Sequence, residues 1–352
     1  MDLASGVGGK IEKSQILSAV EKYEKYHVCY GGQEEERKAN YTDMVNKYYD
    51  LSTSFYEFGW GPSFHFAHRW KGESLQESIK RHEHFLALQL VLKPGQKVLD
   101  VGCGIGGPLR EIARFSSTSA LDRMAGVDKT CNYVKADFMK MPFTDNSFDA
   151  VYAAEATCHA PDACGCYKGI FRVLKPGQYF AAYEWCMTDV FDPNNEEHQK
   201  LKAQIEIGDG LPDIRLTTQC AEALKQAGFE VIWEKDLAID SPVPWYFPLD
   251  TSHFSLNSFR LTAVGRFFTR NSVGTGVKAF AVRTKEKGTT CNHYRKTGHD
   301  STIKSAGHEL GWGNSYVGGG RGQNARANAA QTKGMERQQT TTITENTQSR
   351  RN

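Results

Sequence analysis

The chain has 352 residues, is 39% hydrophobic and 24% charged, and carries a formal net charge of +2. That length supports one large domain or two modest ones with their own cores, and the composition excludes a disulfide-stapled miniprotein, a collagen and a wholly disordered chain. No run of about 18 apolar residues occurs, so no spanning helix is expected, and nine cysteines, an odd and scattered set, fit reduced thiols in a cytosol-facing protein.

At the N-terminus, Met1–Gly6 has neither a basic stretch leading into an apolar core nor a myristoylation glycine, so secretion is not expected. Residues 10–50 read as helices rich in tyrosine and charge, broken at Gly31 and Gly32. An aromatic cluster follows, from Phe55 and Tyr56 through Phe58, Trp60, Phe64 and Phe66 to Trp70, punctuated by Gly59, Gly61 and Pro62. Residues 74–92 space Leu75, Ile79, Phe85, Leu86 and Leu90 as a helix does, and Lys93, Pro94 and Gly95 end it. Lys97–Val101 is a short apolar strand that runs into a glycine turn, and a helix opens at Pro108. Strand, glycine turn and helix make the first unit of a doubly wound α/β sheet. Further strands are predicted at 132–136, 148–153, 178–185 and 229–233, and helices at 163–174 and 217–227, the first stopped by Lys175-Pro176-Gly177 and the second by Gly228.

The turn residues Gly102, Cys103, Gly104 and Gly106 follow Asp100 directly. Glycines permit a tight turn and let backbone N–H groups approach a ligand at a helix N-terminus. An acid at the end of the strand suits an ammonium group better than a pyrophosphate, which points to S-adenosyl-L-methionine rather than a dinucleotide. Asp137, after the 132–136 strand, stands where it could accept from an adenine amino group while Phe138 packs beside the ring. A solvated acid after a strand is the plain alternative. Asp122 lies 20 residues past Gly102, near where an acid meets ribose hydroxyls.

Five segments in order resemble the signature segments of the sterol 24-C-methyltransferase family: Tyr56–Phe66, the glycine turn, Glu155–Asp162, Tyr183–Asp189 and Ile205–Arg215. The resemblance runs from Met1 to about Ser272 and is nearest to plant members that act on cycloartenol. It implies a Rossmann-like class I methyltransferase sheet with an N-terminal helical and aromatic cap. It also implies transfer of a sulfonium methyl to C24 of a sterol side-chain alkene in phytosterol biosynthesis, then a hydride shift and proton loss that leave a 24-methylene group. Such a cation needs a dry, electron-rich cage. Tyr56, Phe58, Trp60, Phe64 and Phe66 match the family's aromatic sterol segment; a packed core patch under a loop is the alternative. Proton removal needs a positioned base, and Glu57, Glu155, His159, Asp162, Glu184, Glu206 and Asp209 all stay open as candidates. No metal is expected, because the spacing of Cys158, His159, Cys164 and Cys166 is not that of a structural zinc site; His65 and His68 are likewise read as packed residues. A membrane-dissolved sterol implies peripheral contact with the cytosolic face of the endoplasmic reticulum. Homo-oligomerisation stays open.

The chain therefore divides into an N-terminal helical and aromatic segment (1–73), a methyltransferase domain (74–240), the start of the family's C-terminal region (241–272) and a basic tail (273–352). Two stretches depart from the family. Only Arg123–Cys131, nine residues, separate Asp122 from the next predicted strand, whereas a covered parallel crossover takes about a dozen or more. The second strand–helix unit is expected to be missing, or present with one sheet face uncovered, and either outcome damages the ribose side of the cofactor site. The second departure is the tail. Val277–Arg283 has strand character suited to the missing edge strand. From Gly274 onward there are 13 Lys and Arg against 5 Asp and Glu, leaving 30 against 36 in the body, and the sparse apolar pattern predicts disorder. Cys291 and His299 stand in register with a retroelement zinc knuckle, but Tyr294 and Lys304 occupy the other two ligand positions, so no zinc is expected there. An inactive remnant of the enzyme and nucleic-acid binding through the basic tail are the alternative readings.

Overall fold

The computed structural model describes residues 15–27, 34–118, 131–238, 241–243 and 313–320. Among the described residues three N-terminal helices come first, α1 (Ile16–Tyr26), α2 (Glu34–Ala39) and α3 (Tyr41–Gly59). Tyr23, Met44 and Tyr48 form their small buried core, and Ile207 packs against it. Next, α4 (Leu75–Gln89) starts where Ser74 and Glu77 cap each other: the Ser74 hydroxyl accepts the Glu77 N–H, and the Glu77 carboxylate accepts the Ser74 N–H.

Among the described residues a five-stranded sheet follows. β1 (Val98–Asp100), β2 (Phe148–Ala154) and β3 (Leu174–Cys186) are parallel neighbours. With β4 (Glu230–Asp236) and β5 (Gly313–Gly320) the order is β1-β2-β3-β5-β4, and β5 runs antiparallel between β3 and β4. A sheet covered on both faces needs strands that are apolar on both. Leu99, Val151, Ala153, Phe180 and Ala182 turn to one side, against α6 (Ala163–Val173) and α8 (Thr217–Gln226). Val98, Ala150, Tyr152, Ala181 and Tyr183 turn to the other, against α4 and α5 (Gly107–Ser116). The remaining helix, α7 (Glu196–Asp209), carries the N-terminal cap: Arg37 of α2 pairs with Glu206 at 2.9 Å, each side chain 3% exposed, and also donates to the Pro212 carbonyl.

Three sequence expectations need correction or qualification. Residues 132–136 are not a strand, because among the described residues β1 pairs only with β2 and offers 132–136 no ladder. The stretch 119–130, with Asp122, lies outside the described residues, as does Val277–Arg283. Between β3 and β4 lies Gly313–Gly320, in a part of the tail for which sequence predicts no element.

Candidate active site

β1 ends by delivering Asp100 to the carboxyl edge of the sheet, where the chain turns through Gly102, Gly104 and Gly106 with φ of +76°, +53° and +79°. A Cβ at Gly102 would stand 2.4 Å from the Ala156 Cβ, and one at Gly106 would stand 1.5 Å from the Tyr133 hydroxyl. Both the backbone and the space demand glycine. Gly102→Ala is therefore expected to destabilise the fold by about 2–4 kcal/mol, the left-handed penalty and the clash together. A thermal melt checks it, and an unchanged melting temperature would contradict the geometry.

A cleft enclosing about 530 Å³, part of it open to solvent, runs along the turn past Asp100, Cys103, Tyr133 and Phe138. Asp100 is buried with the Tyr152 hydroxyl beside its carboxyl, and its Oδ2 makes no hydrogen bond of good geometry among the described residues. Burial pushes its carboxyl up to about 7. A buried acceptor left unmet beside a glycine turn fits the ammonium end of S-adenosyl-L-methionine, since a buried polar group is otherwise costly. Asp137 caps the turn Phe138–Lys140: its Oδ1 accepts the Met139 N–H at 2.8 Å and the Tyr41 hydroxyl from α3. The Tyr41 and Phe138 rings lie 6.4 Å apart.

The aromatic segment lies directly on this turn. A Cβ at Gly107, the first residue of α5, would meet the Pro62 carbonyl at 2.1 Å. From there a wall of rings extends: Tyr56 to Phe64 at 5.3 Å, Tyr56 to Trp60 at 5.8 Å, Trp60 to Phe66 at 5.4 Å, and Phe66 edge-on to Trp185 at 5.2 Å. Glu57 and Phe58 lie on α3 with Tyr56; Glu57 is half-buried, and the Phe58 side chain lies outside the described residues. At the tip of β2, Glu155 has a left-handed backbone, φ +55°. Its Oε1 accepts the Phe66 N–H at 2.9 Å and its Oε2 the Trp185 indole N–H at 2.8 Å, so it ties the wall to β3. Burial pushes its carboxyl up to about 8.

A second cluster forms where α3, α7 and the turn Thr157–His159 meet. His159 Nδ1 donates to the Gly210 carbonyl at 3.1 Å, which leaves Nε2 to accept the Tyr49 hydroxyl at 2.9 Å. Burial lowers the imidazole to about 4, so it is neutral. Tyr48 and Tyr56 share a 2.7 Å hydroxyl contact, and the Tyr48 ring fills the space a side chain at Gly210 would need. Asp209, one residue earlier, is half-buried, with its Oδ2 shielded from solvent and unpartnered among the described residues, and desolvation alone lifts its carboxyl to about 7. Of the other acids, Glu184 accepts the Cys158 N–H at 3.0 Å and the Thr157 hydroxyl, Glu206 is held by Arg37 and Lys202, and Asp162 is exposed at the start of α6, where its side chain makes no capping hydrogen bond. Among the described residues no group of three or more His, Cys, Asp or Glu side chains could hold a metal ion.

Sequence reasoning missed Tyr41, Tyr48, Tyr49 and Glu83. For the tyrosines the tyrosine-rich 41–49 stretch was the one visible signal, and nothing local marked which of them turn inward; Glu83 carried no local signal.

Comparison with known proteins agrees with this geometry. Residues 99–182 match the family described as Methyltransferase domain, and residues 36–120 match Mycolic acid cyclopropane synthetase. Among solved structures, the cyclopropane synthase MmaA2 of Mycobacterium tuberculosis superposes with a TM-score of 0.56 at 15% identity, covering 82% of this chain and 98% of that one. A geranyl diphosphate C-methyltransferase from Streptomyces coelicolor, in complex with S-adenosyl-L-homocysteine, gives 0.52 at 14% identity, covering 73% and 92%. The sheet order, the helices on both faces and the glycine turn after β1 define the class I methyltransferase fold. Cycloartenol-C-24-methyltransferase of Arabidopsis thaliana is 78% identical over 288 residues, 78% of this chain and 86% of that protein. The corresponding protein of Oryza sativa subsp. japonica is 70% identical, covering 78% and 84%, and the sterol 24-C-methyltransferase of Candida albicans is 43% identical, covering 77% and 79%. The chain belongs to the sterol 24-C-methyltransferase family and is an S-adenosyl-L-methionine-dependent methyltransferase.

Proposed function

We propose that the chain methylates C24 of cycloartenol. The observation that carries this reading is the seating of the aromatic segment on the methyl-donor turn, Pro62 against Gly107, which joins a cationic-ligand site to a ring-walled one. When bound, S-adenosyl-L-methionine supplies an electrophilic sulfonium methyl. Asp100 holds the ammonium end, the backbone of Gly102, Cys103, Gly104 and Gly106 lines the cofactor, and Asp137 with Phe138 serves the adenine side. Asp122 is assigned the ribose hydroxyls from sequence alone.

Tyr56, Trp60, Phe64 and Phe66, with Phe58 assigned from sequence, surround the sterol side chain and keep water from its cation. Each aromatic face that lies against the cation stabilises it by about 0.5–2 kcal/mol. Asp209 takes the proton lost from the transferred methyl. It is preferred because Glu155, Glu184 and Glu206 already accept hydrogen bonds from the protein on both oxygens, whereas Asp209 Oδ2 has no partner among the described residues. Glu155 instead anchors the wall.

Among the described residues no helix is long and apolar enough to cross a membrane. A membrane-dissolved substrate makes the cytosolic face of the endoplasmic reticulum the working location, reached by peripheral contact. Incubation of the purified chain with cycloartenol and S-adenosyl-L-methionine should give a 24-methylene sterol and S-adenosyl-L-homocysteine in equal amounts, and a sterol with a saturated side chain should give neither. Donor turnover without sterol product would refute the assignment.

A further inference from the structure

Glu83 lies on α4, outside every segment that marks the family site in sequence, and is 3% exposed. Its Oε1 accepts the Ser63 hydroxyl at 2.7 Å and His65 Nε2–H at 3.2 Å. His65 in turn places Nδ1 2.9 Å from the Phe66 carbonyl. With both ring nitrogens facing oxygen acceptors, the imidazole is held as the doubly protonated cation, paired with Glu83. One carboxylate thus grips two consecutive inward-facing residues of the aromatic segment. The grip sits between two contacts of that segment: Pro62 and Ser63 on Gly107 at the methyl-donor turn, and the Phe66 N–H on Glu155.

We infer that Glu83 is a positioning residue for methyl transfer, setting the distance between the donor turn and the ring wall by holding Ser63 and His65. This rests on the proposed sterol methylation. Ser63 also packs on α5, so a shift of the segment carries Trp60, Phe64 and Phe66 with it while the glycine turn, fixed by β1 and Ala156, stays in place. Misplacing a reacting group by about 1 Å costs up to about a hundredfold in rate. The loss therefore falls on turnover with sterol and not on donor affinity.

The test is a cycle of Glu83→Gln, Ser63→Ala and their double variant, assayed with cycloartenol beside the parent chain, with calorimetric titration of S-adenosyl-L-homocysteine. Glu83→Gln should lower kcat about ten- to a hundredfold with donor-product affinity within about twofold of the parent. Ser63→Ala should lower kcat about three- to tenfold, and the double variant should match Glu83→Gln alone, because both act through one grip. Unchanged kcat in Ser63→Ala, additive losses in the double variant, or an equal loss of donor-product affinity would each overturn the proposal. Ser63→Ala removes a single hydroxyl, so its result decides the matter even if Glu83→Gln does not fold. A parent chain that leaves cycloartenol unmethylated would instead count against the proposed function.

Discussion

Asp100→Asn is expected to weaken S-adenosyl-L-homocysteine binding by roughly 30-fold to several thousandfold, the range for truncating one partner of a buried, hydrogen-bonded charge pair. The ligand keeps the ammonium group and does not turn over, so calorimetry reads the contact alone. The same substitution changes the pH dependence of stability in the free chain. The folded Asp100 carboxyl titrates at about 7, well above its ordinary 3.8, so between these values the folded state holds a proton that the unfolded state has released. Stability is therefore fullest below about pH 4 and declines as pH rises through 7, by an upper bound of order 4 kcal/mol for this group. Asp209 and Glu155, raised to about 7 and about 8 by burial, add to the same slope. Asp100→Asn should flatten it by one group's share in chemical denaturation at pH 5 and pH 8. Undiminished binding in Asp100→Asn would remove Asp100 from the cofactor site.

Asp209→Asn carries the other large effect. A positioned general base contributes about 10²–10⁴ in rate, so kcat should fall by that factor while S-adenosyl-L-homocysteine affinity is unchanged. The base must be ionised to act. The parent's rate should therefore rise with pH through about 7, the value to which burial lifts this carboxyl, and the variant should lose that limb. Retention of the full rate with an unaltered pH profile would return the role to another candidate base, His159 or Glu57 included.

The parts of the fold legible in sequence were those set by local signals. The glycine turn after a short apolar strand, the helix stops at Lys175-Pro176-Gly177 and Gly228, and the two-sided apolar runs of β2 and β3 all act within a few residues. Residues 132–136 misled because an apolar run becomes a strand only where a neighbour offers a ladder. β5 escaped notice for the converse reason: Gly313–Gly320 has four glycines and little strand propensity, yet two open strand edges recruit it. The site divides in the same way. Asp100 and the turn glycines carry their chemistry in their spacing. The grip of Glu83 on Ser63, the Tyr41 hydroxyl on Asp137 and the Tyr49 hydroxyl on His159 join residues 20, 96 and 110 positions apart, and only the packed chain reveals them. The unpartnered oxygen of Asp209 is likewise a property of packing, whereas its place three residues after Glu206 is not.

The most direct measurement uses a donor whose transferable methyl carries three deuterons, with cycloartenol as acceptor and mass spectrometry of the sterol. If a donor held at Asp100 methylates a side chain held by the aromatic wall and a carboxylate then removes a proton from the new methyl, the product is a 24-methylene sterol retaining two deuterons. A sterol that keeps all three, or none, would contradict that account.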